Sequence, residues 1–133
     1  MKIPIRKQSR KGTATVELAV CLPMLFLIIF GGIEAANSIF LKQGLTVAAY
    51  ETAKMATTVG YTVNEAIARG DEVLTSRGFN GAQVSISPNV AVLEPGTQVT
   101  VTITAPANAN SISPQIAIAG NASISAQVVM IRN

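Results

Sequence analysis

Residues 10–34 read RKGTATVELAVCLPMLFLIIFGGIE, and this stretch decides how the chain is organised. From Leu18 to Ile33 no side chain carries a charge. As a helix rising 1.5 Å per residue, that run spans about 24 Å, slightly short of a ~30 Å hydrocarbon core. Ala14 to Val16 lengthen it if Glu17 is accommodated. Directly upstream, residues 1–12 hold Lys2, Arg6, Lys7, Arg10 and Lys11 and no acid. The positive-inside rule then places the N-terminus in the cytoplasm and the C-terminal part of the chain outside.

The rest of the composition follows from this division. The 133 residues are 49% hydrophobic and only 13% charged, about half the charge of an ordinary soluble domain, and mean hydropathy is +0.42. The net charge of +3 resides in the leader, because beyond residue 12 seven acids outnumber five bases. The folded part therefore lacks the basic, aromatic-bearing surface of a nucleic-acid binder. With no His and one Cys, imidazole-dependent triads, His/Cys zinc sites and disulfide frameworks are excluded. Asp71-Glu72 is the one adjacent pair of carboxylates. Nothing in the inventory suggests an enzyme, a metal or a cofactor.

Helical spacing continues beyond the apolar run. Leu41, Leu45, Ala48, Thr52, Met55 and Val59 recur at intervals of four and three, the stripe of a 3.6-residue period. One long helix is expected over residues 14–59, apolar all round at first and amphipathic later, with Gly60 as its stop. Thr62-Val63-Asn64-Glu65 has the spacing of a capping box. It opens a second, shorter helix faced by Val63, Ile67, Gly70 and Leu74, with Gly78 as its C-terminal cap.

The period then changes to two. Ala82, Val84 and Ile86, then Val99, Val101, Ile103 and Ala105, then Ala122, Ile124, Ala126, Val128 and Met130 alternate with polar residues. These are three half-buried strands. Val90 to Leu93 is a candidate fourth, followed by a turn at Glu94-Pro95-Gly96-Thr97, and Pro106 to Asn121 reads as a loop. The expected fold class is α+β. A long N-terminal helix, transmembrane then amphipathic, is followed by a short helix and a small C-terminal antiparallel sheet packed on the long helix. The division is a basic leader at 1–12, the long helix at 13–60 and an extracytoplasmic helix-plus-sheet domain at 61–133.

The junction at residues 10–17 admits three readings. A secretory signal peptide conflicts with the length of the apolar run, with Glu17 at its head, and with the weak small-x-small option at Ala36-Asn37-Ser38. A plain single-pass anchor explains the bases and the run but neither Gly12 nor Glu17. The third reading is a leader ending in Gly12 with Glu17 five residues on, a pattern that resembles prepilins. Over KGTATVELAVCLPMLFLIIFGGIEAANSIFLKQGLTVAAYETAKMA the chain resembles the TadE-like family, pilin-like proteins of tight-adherence (type IVc) pilus systems. The matching positions are Gly12, Val16-Glu17, Leu22-Pro23, Gly31-Gly32, Glu34 and the Ala-rich helix around Ala48 to Ala56.

The resemblance implies cleavage between Gly12 and Thr13 by a membrane prepilin peptidase. It also implies residence in the bacterial inner membrane before assembly, and partnership with other pilin-like subunits, an inner-membrane assembly platform and lipid. Glu17 and Pro23 are the candidate assembly residues. A carboxylate at position 17 is costly in lipid, and cleavage would create a cation for it, the α-amino group of Thr13. The interfacial alternative leaves Glu17 near the helix N-terminus, where the dipole favours it. Pro23 removes one helix hydrogen bond, either to kink the helix for packing or as a tolerated membrane-helix proline. Cys21 reads as a small buried hydrophobe, with lipidation the alternative, and Glu34 as a marker of the lipid–water boundary. Two other roles stay open: the major filament subunit, and a permanently anchored extracytoplasmic binding protein.

Overall fold

A helix whose first half is apolar all round and whose second half is striped has two different surroundings to satisfy, and the chain divides accordingly. The computed structural model describes residues 11–89, 93–112 and 121–132. Two compact units emerge, Met1–Ile33 and Glu34–Asn133. The first helix, α1 (Lys11–Thr57), contributes to both and runs through Pro23 as one element. The described part of the leader-proximal unit is helix alone. Its apolar side chains, among them Val20, Met24, Leu27 and Ile28, are exposed.

The second unit holds the rest of α1, then α2 (Val63–Ser76), β1 (Gln83–Ser87), β2 (Gln98–Pro106), a 3-10 turn at Asn108–Asn110 and β3 (Ser123–Ile131). The strands form one antiparallel sheet in the order β1-β2-β3. Val84 pairs with Ile103 across β1–β2, and Ile103 with Ala126 across β2–β3. The alternation puts Val99, Val101, Ile103 and Ala105 wholly inside, as period-two patterning requires of a strand with one buried face. They join Leu41, Leu45, Ala48 and Ala53 of α1 in a single core. The α+β architecture expected from the sequence is the one observed.

Two corrections concern α1. Its last helical residue is Thr57 and its first is Lys11, rather than 59 and 14. Val59, placed in the core by the stripe, is 74% exposed, because the helix has already ended and the stripe no longer has a helix to follow. Met55 is half-buried, while Ala49, Ala53 and Ala56 are buried beside the expected residues. The buried face is therefore wider than one stripe, and alanines let two elements approach it. On α2, Ala66 is buried and Ile67 only partly so, a small rotation of the expected face.

One of those approaches is unusually close. A Cβ built on Gly70 would lie 2.3 Å from Thr52 Oγ1 and 3.3 Å from Val84 Cγ2. Thr52 is itself wholly buried and donates to the Ala48 carbonyl at 2.8 Å. Alanine favours a helix interior over glycine by about 1 kcal/mol, but overpacking costs ~1–3 kcal/mol. Gly70→Ala is therefore expected to lower stability by up to about 2 kcal/mol net. Thr52→Ala on the same chain should recover part of that loss, read as a coupling energy in a denaturant double-mutant cycle. Strictly additive effects would mean that the two helices separate freely.

The ends of α2 follow the expected chemistry. Thr62 Oγ1 accepts from the Glu65 amide and the Glu65 carboxylate accepts from the Thr62 amide at 2.7 Å, a complete capping box. That backbone hydrogen bond, with a second from the Thr62 hydroxyl, holds the Glu65 carboxyl below its ordinary value of 4.5. A depressed carboxyl stabilises the fold above the unfolded pKa and loses that contribution as pH falls through the folded one. Thr62→Ala should cost about 1 kcal/mol, and the deficit should shrink in melts taken at acid pH, where Glu65 is protonated in both proteins. At the other end Gly78, at φ 71°, follows the cap residue Arg77. The Gly78 amide donates to Thr75 and the Phe79 amide to Leu74, the paired bonds of a Schellman motif.

The turn at Glu94-Pro95-Gly96-Thr97 is present, with the Thr97 amide donating to the Glu94 carbonyl at 3.1 Å and Gly96 at φ 83°. A positive φ at the third position is what a type II turn demands. Of the candidate fourth strand, residues 90–92 lie outside the described residues, and Leu93 is buried but not in a strand. The expected loop starts later than its first proline suggested. Pro106 closes β2 beyond the end of β1, where no strand partner asks for its missing amide hydrogen.

Candidate functional site

The residues singled out by the sequence lie on the first turns of α1. Gly12, Thr13 and Glu17 are helical and exposed. No neighbouring atom lies within 4 Å of a Cβ built on Gly12. The sequence reading wanted an extended backbone at Gly12 for a peptidase. Here Gly12 sits in the first helical turn, where the leading amides lack intrahelical partners and unwinding costs least.

Above this junction the helix presents apolar side chains on every side. Phe26 and Phe30 stack one turn apart, with ring centroids 6.2 Å from each other. Thr15, Leu18, Leu22, Pro23 and Phe26 line a shallow apolar groove. Val20, Cys21, Met24 and Ile28 line another. Cys21 is exposed rather than buried within the chain. A helix apolar all round cannot leave that surface in water, and α1 is long and apolar enough to cross a membrane. Around Pro23, lipid or neighbouring helices are the surroundings that chemistry allows.

In the second unit, α1 is tied to the segment after β2 and to β3 by polar contacts that the sequence did not reveal. Glu34 accepts from the Ser111 hydroxyl at 3.0 Å, and Asn37 Nδ2 donates to the Asn110 carbonyl at 2.7 Å. The Asn110 side chain in turn accepts from the Asn80 amide and donates to the carbonyls of Asn80 and Pro106. Lys42 Nζ donates to the Ser125 carbonyl on β3. Glu34, read as a lipid–water marker, thus has a partner within its own unit. Arg132 was missed altogether. It is 7% exposed and donates from Nη1 to the Ala56 carbonyl at 3.1 Å, next to the end of α1, where the helix dipole favours a cation. An arginine one residue from the end of the sequence gives no signal of burial.

Among the described residues these features define a class: one candidate membrane-crossing helix, α1, followed by an α+β domain. Residues 12–54 match the family model described as TadE-like protein, the family whose motifs that stretch resembles. No curated protein and no solved structure matches the chain. Among the described residues no cluster of His, Cys, Asp or Glu is placed to hold a metal ion.

Proposed function

We propose that this chain is a pilin-like subunit of a tight-adherence pilus, non-enzymatic, made as a membrane precursor and trimmed by a prepilin peptidase between Gly12 and Thr13. The observation that carries the reading is the start of the TadE-like match at residue 12, where the basic leader ends and the apolar helix begins. The five leader bases hold the N-terminus on the cytoplasmic face, which is where the peptidase would have to act. After trimming, the apolar part of α1 serves first as anchor in the inner membrane and then as the handle by which an assembly platform packs subunits together. The second unit, outside, is the part that other subunits meet.

The test is the mass of the membrane-extracted protein from a host with its own pilus machinery. A chain beginning at Thr13 is expected. A chain that keeps residues 1–12 in that host overturns the reading and leaves a permanent anchor.

A further inference from the structure

The outer edge of β3 has no strand partner among the described residues. The Ala107 amide donates to the Ala122 carbonyl and the Arg132 amide to the Thr97 carbonyl. In the same antiparallel register, the even-numbered residues of β3 direct their main-chain groups to β2. The odd-numbered residues direct theirs away. Lys42 bears this out by reaching the Ser125 carbonyl from outside the sheet. Beyond Ser125, the amides and carbonyls of Gln127, Val129 and Ile131 face outward, and among the described residues no strand lies beyond β3. Edge strands are usually guarded by charge, proline or a bulge, yet Ser123–Ile131 carries no charge and no proline. Val129 and Ile131 are 50% and 63% exposed on its outer face.

The same parity applies to the opposite edge. The even-numbered residues of β2 serve β1 through Gln83, Ser85 and Ser87, which leaves the main-chain groups of Val84 and Ile86 pointing outward. β1 is likewise uncharged. Both β1 and β3 are antiparallel to β2 and therefore parallel to each other.

We propose that β3 of one copy pairs with β1 of the next, a parallel, head-to-tail contact between copies of this chain. Centred on Val129, the Val129 amide donates to the Val84 carbonyl of the neighbouring copy and the Val129 carbonyl accepts from its Ile86 amide. β1 then spans Gln127–Ile131 and leaves the Lys42–Ser125 contact intact. The inward and outward faces of the two sheets stay continuous, since odd residues meet odd. A two-fold β3–β3 pair is the rival arrangement. It is isologous and closes at a dimer, whereas a filament requires a contact that repeats. That step rests on the pilin-like reading above. A heterologous contact of this kind leaves a free edge at each end and, unless its rotation closes a ring, extends to many copies.

Strands in such a ladder lie ~4.8 Å apart, within the ~4.4–6.8 Å that a disulfide tolerates between Cα atoms. The full chain is expressed in its piliated host with Cys21→Ala, Ser85→Cys and Val129→Cys, and membranes and sheared filaments are oxidised. A ladder of multimers is expected, with each single-cysteine chain remaining monomeric. Val129→Lys, tested with Gln83→Cys and Gln127→Cys as the reporter pair, should abolish the ladder while circular dichroism and membrane level stay unchanged. Val129→Pro should do the same, because that amide serves no bond within the sheet. Dimers from Val129→Cys alone, or no ladder from chains that are trimmed and assembled, overturn the proposal and leave the pilin-like reading standing. Untrimmed chains without a ladder overturn both.

Discussion

Gly12→Val should leave residues 1–12 on the mature protein. The substitution is clean with respect to folding, since Gly12 is exposed and a Cβ there meets nothing within 4 Å. Its effect must fall on the peptidase. To be cut after Gly12, the first turn of α1 has to unwind into an extended strand in the enzyme's cleft. Glycine enters such a cleft with no side chain to place and with the widest choice of backbone angles. Valine adds two γ-methyls with a stiff χ1, and a site shaped for glycine has no room for them. The expected result is retention of the leader in essentially all molecules, seen as the added mass of twelve residues, at unchanged membrane level. Gly12→Ala should give a mixture. Normal trimming of the valine chain would remove Gly12 from the processing site and leave the leader boundary to be found elsewhere.

The sequence was most legible where one periodicity had one cause. The three strands were readable because each has one face in the core, so apolar Val99, Val101, Ile103 and Ala105 alternate with threonines. The capping box at Thr62–Glu65 and the glycine after α2 were readable because they are local, set by residues three or four apart. Legibility failed where the cause lay far away in sequence. Gly44 gives no sign that a side chain there would strike the ring of Phe79, its built Cβ lying 2.2 Å from that ring. Arg132 gives no sign that it closes on Ala56, seventy-six positions earlier. The Asn110 side chain, in what read as an undifferentiated loop, joins that loop to Asn80 and to the end of β2.

The candidate site was read from a different kind of signal. Charge, glycine and an apolar run are one-dimensional signals, and a membrane reads them nearly as the sequence writes them. Gly12, Thr13, Glu17 and Pro23 all lie on α1 and are exposed. What spacing does not supply is a partner, because every partner implied for these residues lies on another molecule.

Glu17→Ala should give a chain that is trimmed and stable in the membrane but absent from sheared filaments. Alanine makes the apolar run more lipophilic, so insertion does not suffer, and Gly12 is untouched, so the leader is still removed. The loss falls on the step at which subunits leave lipid and pack. There the Thr13 amine of one subunit and the Glu17 carboxylate of another can neutralise each other. Two unit charges about 4 Å apart attract by ~4 kcal/mol at an effective dielectric of 20. Desolvation removes much of that, leaving ~1–2 kcal/mol per contact, roughly a factor of 5–30 in each addition. Repeated at every subunit, that factor separates growth from arrest. Glu17 also lies four residues from Thr13 on its own helix, and a pair within one chain would be worth only ~0.2–0.5 kcal/mol. Such a pair would leave assembly almost unchanged when it is lost. Glu17→Gln distinguishes charge from hydrogen bonding and should fall between wild type and alanine if the amide oxygen still accepts from the neighbouring amine. Incorporation of the alanine chain at wild-type levels would assign Glu17 to the membrane interface, where the helix dipole alone accounts for it.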